Sequence, residues 1–162
     1  MSITDDLLRA NEAYADSYTE GALPMPPGHH VAVVACMDAR LDVYRMLGLS
    51  LGQAHVIRNA GGVVGDDAVR SLVISQRLLG TTEIVLIHHR DCGMLTFSDD
   101  DVKAQIEQDT GIRPAFALEA FGDVEADVRQ SIARIQASPF IPHKNVRGFV
   151  FDVATGKLDE VT

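Results

Sequence analysis

The stretch VAVVACMDAR, residues 31–40, decides the reading of the fold. A run of small and β-branched apolar residues ends in Cys36, Asp38 and Arg40, one reactive or charged side chain at every second position. In an extended chain that spacing returns all three to one side. A strand that is apolar throughout, rather than alternating, suits a parallel sheet covered on both faces. Working outward, HVAVVAC (30–36), AHVIRN (54–59), EIVLIHH (83–89) and VRGFVFD (146–152) read as four strands of this kind. Helical stretches fall between them. DDAVRSLVISQRLLG (66–80) opens on acids, ends at a glycine and is apolar nearly all round, which predicts a buried helix. DVEADVRQSIARIQ (123–136) places Val124, Val128, Ile132 and Ile135 on one face, with Pro139 just past its end. The pattern is α/β: a mainly parallel central sheet of four strands with helices on both faces. Thr155-Gly156 then turns the chain into a short antiparallel edge strand at the C-terminus.

A chain of 162 residues predicts a single domain, 1–162, that buries a core without staples. Residues 1–20 read as an N-terminal helical arm, with a helix over 4–18. Residues 21–30, GALPMPPGHH, form a Pro/Gly-rich connector whose three prolines break any helix. The excess of 23 acidic over 14 basic residues gives a net charge of −9, which argues against nucleic acid and anionic membrane surfaces as partners. The SDDD run at 98–101 reads as a solvated face or a helix start. The first eighteen residues carry Asp5 and Asp6 and no apolar h-region, and VAVVACM is far too short to span a bilayer. A cytoplasmic location follows as the expectation. There two cysteines are thiols or metal ligands rather than a disulfide.

Ligands of open parallel sheets gather at the carboxyl ends of the strands. The reactive residues of this chain fall there: Cys36 after the first strand, Arg58 and Asn59 after the second, His89 and Cys92 after the third. A His and a Cys three positions apart can curl around one ion, and Cys36 on a neighbouring strand supplies a third soft donor. Two thiolates and an imidazole suit tetrahedral Zn²⁺, and three protein ligands leave the fourth position open, as in catalytic sites. The bland alternative is two small buried cysteines and a satisfied histidine. Arg40 can hold Asp38 bidentately, ionised and aimed at a metal-bound water. Asp38 can equally leave Arg40 and close the site as a fourth ligand. His88 points to the opposite face and reads as structural, while His29, His30, His55 and His143 fit surface or loop positions. RNAGG (58–62) offers glycines for a sharp turn and a close approach, and it is not a phosphate loop.

Cys36-x-Asp38-x-Arg40 followed by His89-x-x-Cys92-Gly93, with RNAG between them, resembles the β-class carbonic anhydrases, in particular a compact bacterial branch, over residues 30 to 153. The resemblance implies that Cys36, His89 and Cys92 ligate one Zn²⁺ per subunit, with water, hydroxide or Asp38 as fourth ligand. It implies reversible hydration of carbon dioxide to bicarbonate and a proton, by attack of zinc-bound hydroxide on CO₂. Asp38 and Arg40 would be the catalytic pair, and Arg58, Asn59, Ala60, Gly61 and Gly93 would form the substrate pocket. It also implies a homodimer or a higher multiple of dimers, the N-terminal arm reaching over the partner.

Two positions depart from that family pattern. Arg90 stands between the ligands where a small hydroxyl residue is usual. Val33 stands where some members carry a tryptophan belonging to an inhibitory bicarbonate site, so that site is expected to be absent in its known form. A cysteine phosphatase would need an Arg about six positions after its Cys. Arg40 comes too early after Cys36, and GMLTFSDD after Cys92 has no basic residue. The remaining alternatives are hydrolysis of CS₂ or COS on the same fold, and a catalytically silent zinc-binding protein.

Overall fold

The computed structural model describes residues 2–162. One five-stranded sheet organises them, in the order β2-β1-β3-β4-β5, built from β1 (Val31–Cys36), β2 (Ala54–Asn59), β3 (Glu83–His89), β4 (Asn145–Phe151) and β5 (Leu158–Val161). The first four strands are parallel and β5 is antiparallel to β4, as the sequence predicts. The strands form where β-branched residues run unbroken, because both faces of the sheet are covered. Val34, Ala35, Leu86 and Ile87 are all fully buried, two from each face.

That cover is unequal. Helices α3 (Asp66–Arg77) and α5 (Val124–Ala137) pack on one face, around Ala32, Val34, Ile84, Leu86, Leu72 and Ile135. Gly148 of β4 lets α5 close onto the sheet, since a Cβ there would lie 2.3 Å from the Val128 side chain. The opposite face, with Val33, Ala35 and Ile87, is covered by the short helix α2 (Val43–Leu47) and by the loops that follow β1 and β3.

Helix α3 departs from its predicted extent and burial. It ends at Arg77 rather than residue 80, and only the stripe Ala68, Leu72, Ser75 and Gln76 is buried. Ile74 and Leu78 stay exposed, because the helix lies on the outside of the sheet and turns one side away from it. Gly80 adopts φ +74° beyond the helix end, where it turns the chain towards β3. The acidic run is a helix start: Ser98 caps α4 (Asp99–Thr110), accepting a hydrogen bond from the Asp101 amide. Helix α1 (Ile3–Asp16) is defined by its own capping box, Ser2 with Asp5, and none of its residues is buried. The connector after it forms no helix or strand.

Candidate metal centre

In a sheet of order 2-1-3-4 the strand order reverses between β1 and β3, and their carboxyl ends open a crevice there. Cys36 is the last residue of β1 and His89 the last of β3, so the topology delivers both to that crevice. Cys92 follows three residues on, after a tight turn in which Asp91 takes φ +57°. The donor atoms of Cys36, His89 and Cys92 all lie within 4.8 Å of one another, and all three residues are buried. Cys36 Sγ is 4.0 Å from Cys92 Sγ and 3.2 Å from His89 Nε2. The edges of a tetrahedral ZnS₂N arrangement are about 3.6–3.8 Å, so the donors are already close to a coordinating spacing. His89 Nδ1 lies 2.9 Å from the Arg90 carbonyl. A proton held there leaves Nε2 as the free donor, the tautomer that metal-ligating histidines use.

The electrostatics favour one thiolate before any ion arrives. Burial pushes the Cys36 thiol up, but hydrogen bonds from His89 and from the Asp38 and Gly61 main chain outweigh it and lower the pKa to about 7. Burial and the neighbouring sulfur raise Cys92 to about 11. For His89, burial works against protonation, and the Cys36 sulfur outweighs it, so the imidazole is raised.

Asp38 faces Arg40. The guanidinium donates from Nε to Asp38 Oδ1 at 2.9 Å and from Nη2 to Oδ2 at 2.8 Å, and the Arg40 amide adds a third bond to Oδ1. These bonds hold the carboxyl well below the usual carboxylate range. Asp38 Oδ2 also lies 3.6 Å from His89 Nε2, at the lip of the cluster. Arg90, the bulky cation between the ligands, turns away and pairs with Asp159 of β5 at 3.3 Å.

A cavity of about 390 Å³ opens on the three ligands and Asp38, walled mainly by Met37, Ala60, Gly61, Gly93, Met94, Thr96 and Phe97. Ala60, Gly61 and Gly93 are among its walls. Arg58 and Asn59 do not line it. Arg58 turns back to donate to the Cys36 and Asp38 carbonyls, propping the main chain of the ligand loop, and Asn59 donates to the Val63 carbonyl. A strand-end position places a residue near the crevice without fixing which way its side chain turns. The sequence reading missed Met37, Met94, Thr96 and Phe97; Met37 and Met94 adjoin motif residues, which was the available signal, whereas Thr96 and Phe97 lie further along the chain.

The glycines of RNAGG do make a close approach. Gly62, at φ +73°, lies against the backbone of both ligand strands, where a Cβ would come within 2.9 Å of the Cys36 nitrogen and the Ile87 oxygen. His88 points to the opposite face and bonds Asp127 of α5 at 2.7 Å, fully buried. Val33 is buried in the core.

Comparison with known proteins agrees with this geometry. A family model described as carbonic anhydrase matches residues 31–158. The chain is 64% identical over 163 residues to beta-carbonic anhydrase 1 of Mycobacterium tuberculosis, covering 100% of this chain and 99% of that protein. It is 35% identical to a carbon disulfide hydrolase of Acidithiobacillus thiooxidans, covering 98% and 90%. Among solved structures, the carbonic anhydrase of Streptococcus mutans superposes with a TM-score of 0.93 at 45% identity, covering 100% of this chain and 99% of the other. The chain belongs to the carbonic anhydrase family, in its β class.

Proposed function

We propose that this chain catalyses the zinc-dependent, reversible hydration of carbon dioxide to bicarbonate and a proton, with one Zn²⁺ per subunit held by Cys36, His89 and Cys92. The observation that carries this reading is the buried S₂N donor set with the Asp38–Arg40 pair at its lip. When bound, zinc supplies a Lewis acid that lowers the pKa of a water towards about 7. The chain supplies the rest. Asp38, kept ionised by Arg40, accepts a hydrogen bond from the attacking water and orients it toward the substrate. Ala60, Gly61, Gly93, Met94 and Phe97 wall the cavity with mostly apolar surface suited to CO₂. Behind that wall Arg58 holds the main chain of the loop after β1, and Asn59 holds the turn that carries Gly61 and Gly62.

Residues 1–162 form a single domain in this reading, and its exposed N-terminal arm supports a homodimer or a higher multiple of dimers. No helix among the described residues is long and apolar enough to cross a membrane; the acidic net charge supports a protein that binds no nucleic acid, and a cytoplasmic location is part of the same reading. Stopped-flow CO₂ hydration from about pH 6.5 to 9, on protein of measured zinc content, tests the proposal. Full zinc with no hydration at any pH refutes it and favours a silent zinc protein. The carbon disulfide hydrolase relative supports a second reading, hydrolysis of CS₂ or COS at the same site. Turnover of CS₂ without CO₂ hydration, in the same preparation, would establish that instead.

A further inference from the structure

We propose that Asp91 is a positioning residue that fixes the Arg40 guanidinium, and through it the Asp38 carboxylate, by joining the two loops that carry the metal ligands. The inference rests on the carbonic anhydrase reading of the site and adds a third member to its Asp–Arg pair.

Arg40 has five N–H donors in a rigid fork. Two go to the Asp38 carboxylate. Nη1 donates to Asp91 Oδ2 at 2.8 Å, and Nη2 also donates to the Asp91 carbonyl at 3.0 Å. The guanidinium therefore bridges the segment after β1, which carries Cys36 and Asp38, and the segment after β3, which carries His89 and Cys92. Its plane is set from both sides. Asp91 reaches it with both a side-chain and a main-chain oxygen from a backbone at φ +57°, a conformation that Asp, Asn and Gly adopt far more readily than other residues.

The Asp91 side chain is 78% exposed and Arg40 47%. An ion pair so wet contributes little to folding, so its effect lies in orientation. Two of the three hydrogen bonds on the Asp38 carboxylate come from the guanidinium, so where its oxygens point depends on where the guanidinium plane lies. With Asp91 in place, Nε and Nη2 face Asp38 and hold its oxygens towards the cluster. Without the Asp91 carboxylate, the guanidinium keeps only the main-chain carbonyl of residue 91 on that side, and its plane, with the Asp38 carboxylate bonded to it, is less tightly fixed.

Asp91→Gly removes the carboxylate and keeps the backbone conformation, and Asp91→Asn keeps an oxygen acceptor without the charge. For Asp91→Gly we expect kcat/KM for CO₂ hydration to fall about tenfold, carried by kcat, with zinc content and unfolding midpoint as in wild type. Asp91→Asn falls between the two. On an Arg40→Ala background, Asp91→Gly adds no further loss. The cobalt-substituted protein gives a reading that needs no turnover, because its visible bands report the oxygen donor beside the protein ligands. Asp91→Gly and Arg40→Ala shift those bands in the same direction. Wild-type activity in Asp91→Gly, a loss that persists in full on the Arg40→Ala background, or cobalt bands superimposable on wild type would overturn the inference. Absence of hydration in the wild type would refute the carbonic anhydrase reading, and the cobalt spectra alone would then decide the role of Asp91.

Discussion

Arg40 lies between two carboxylates of different accessibility, and each of the metal-site thiols beside it has a different proton affinity. Both facts have measurable consequences. In metal-free protein Cys36 loses its proton near pH 7 and Cys92 near 11. On the proposed reading zinc takes both as thiolates, so binding expels protons and affinity rises with pH. From about pH 8 to 10 one thiol proton leaves per ion, and the logarithm of the apparent association constant is expected to rise by about one per pH unit. Below pH 7 the slope steepens as Cys36 must also give up its proton. Competition against a chelator across this range measures it, and a flat profile would mean the thiols do not bind the ion. Asp38→Ala is expected to keep zinc and lose about a hundredfold in kcat, read from single preparations assayed for metal and hydration. Full activity would show that Asp38 does not orient the nucleophile. The ligands and the Asp38–Arg40 pair were legible in the sequence because each sits within a few residues of a strand end. The Asp91 contact to Arg40 was not, since it joins loops fifty-one positions apart and depends on a positive φ that no motif encodes.

The strands of this fold are stated locally, as unbroken β-branched runs, and β2 and β3 begin and end where the sequence places them. Helix α2 was not foreseen, because five residues give no period to read. Its start is nonetheless specified, by Asp42 accepting from the Arg45 amide, and its end by Gly48 at φ +64°. The over-long reading of α3 has a similar cause. Leu78 and Leu79 continue the apolar composition past the point where the helix stops, and composition does not say which side meets the sheet. Contact between elements is where the energy sits. Gly148→Ala would drive a methyl group into Val128 and Ile132 and lift α5 from β4. We expect a loss of about 1–3 kcal/mol or more, visible as a lower urea midpoint. An unchanged midpoint would mean that α5 can shift outward at no cost, and that its packing does not restrain β3.

At the scale of the whole molecule, α1 is the element least explained by one chain. Ile3, Leu7, Leu8 and Tyr14 are 72, 62, 59 and 52% exposed on a helix with no buried residue. A helix of 14 residues is marginal in water without packing, so cover from a second copy is what the proposed dimer supplies. Deleting residues 2–20 is expected to weaken self-association at least about tenfold in sedimentation velocity while leaving the sheet folded by circular dichroism. Undiminished association would place the interface elsewhere. The apolar positions Leu7, Leu8 and Ala10 ahead of a proline-rich connector suggested the arm in the sequence. What it lies against is a property of two chains, which one sequence does not spell out.

The strand order carries a last consequence, for biosynthesis. Because β1 and β3 are neighbours while β4 comes much later in the chain, Cys36, His89 and Cys92 have all been synthesised before α5, β4 or β5 exists. A nascent chain still on the ribosome therefore carries every protein donor for its metal. It also carries the three strands that bring them together and the glycine pair that seats them. The edge of β3 is open at that moment and is sealed only by later residues. On the proposed zinc reading, the donor set is complete before the far edge of the sheet has been made, so metal capture does not have to wait for β4 or β5.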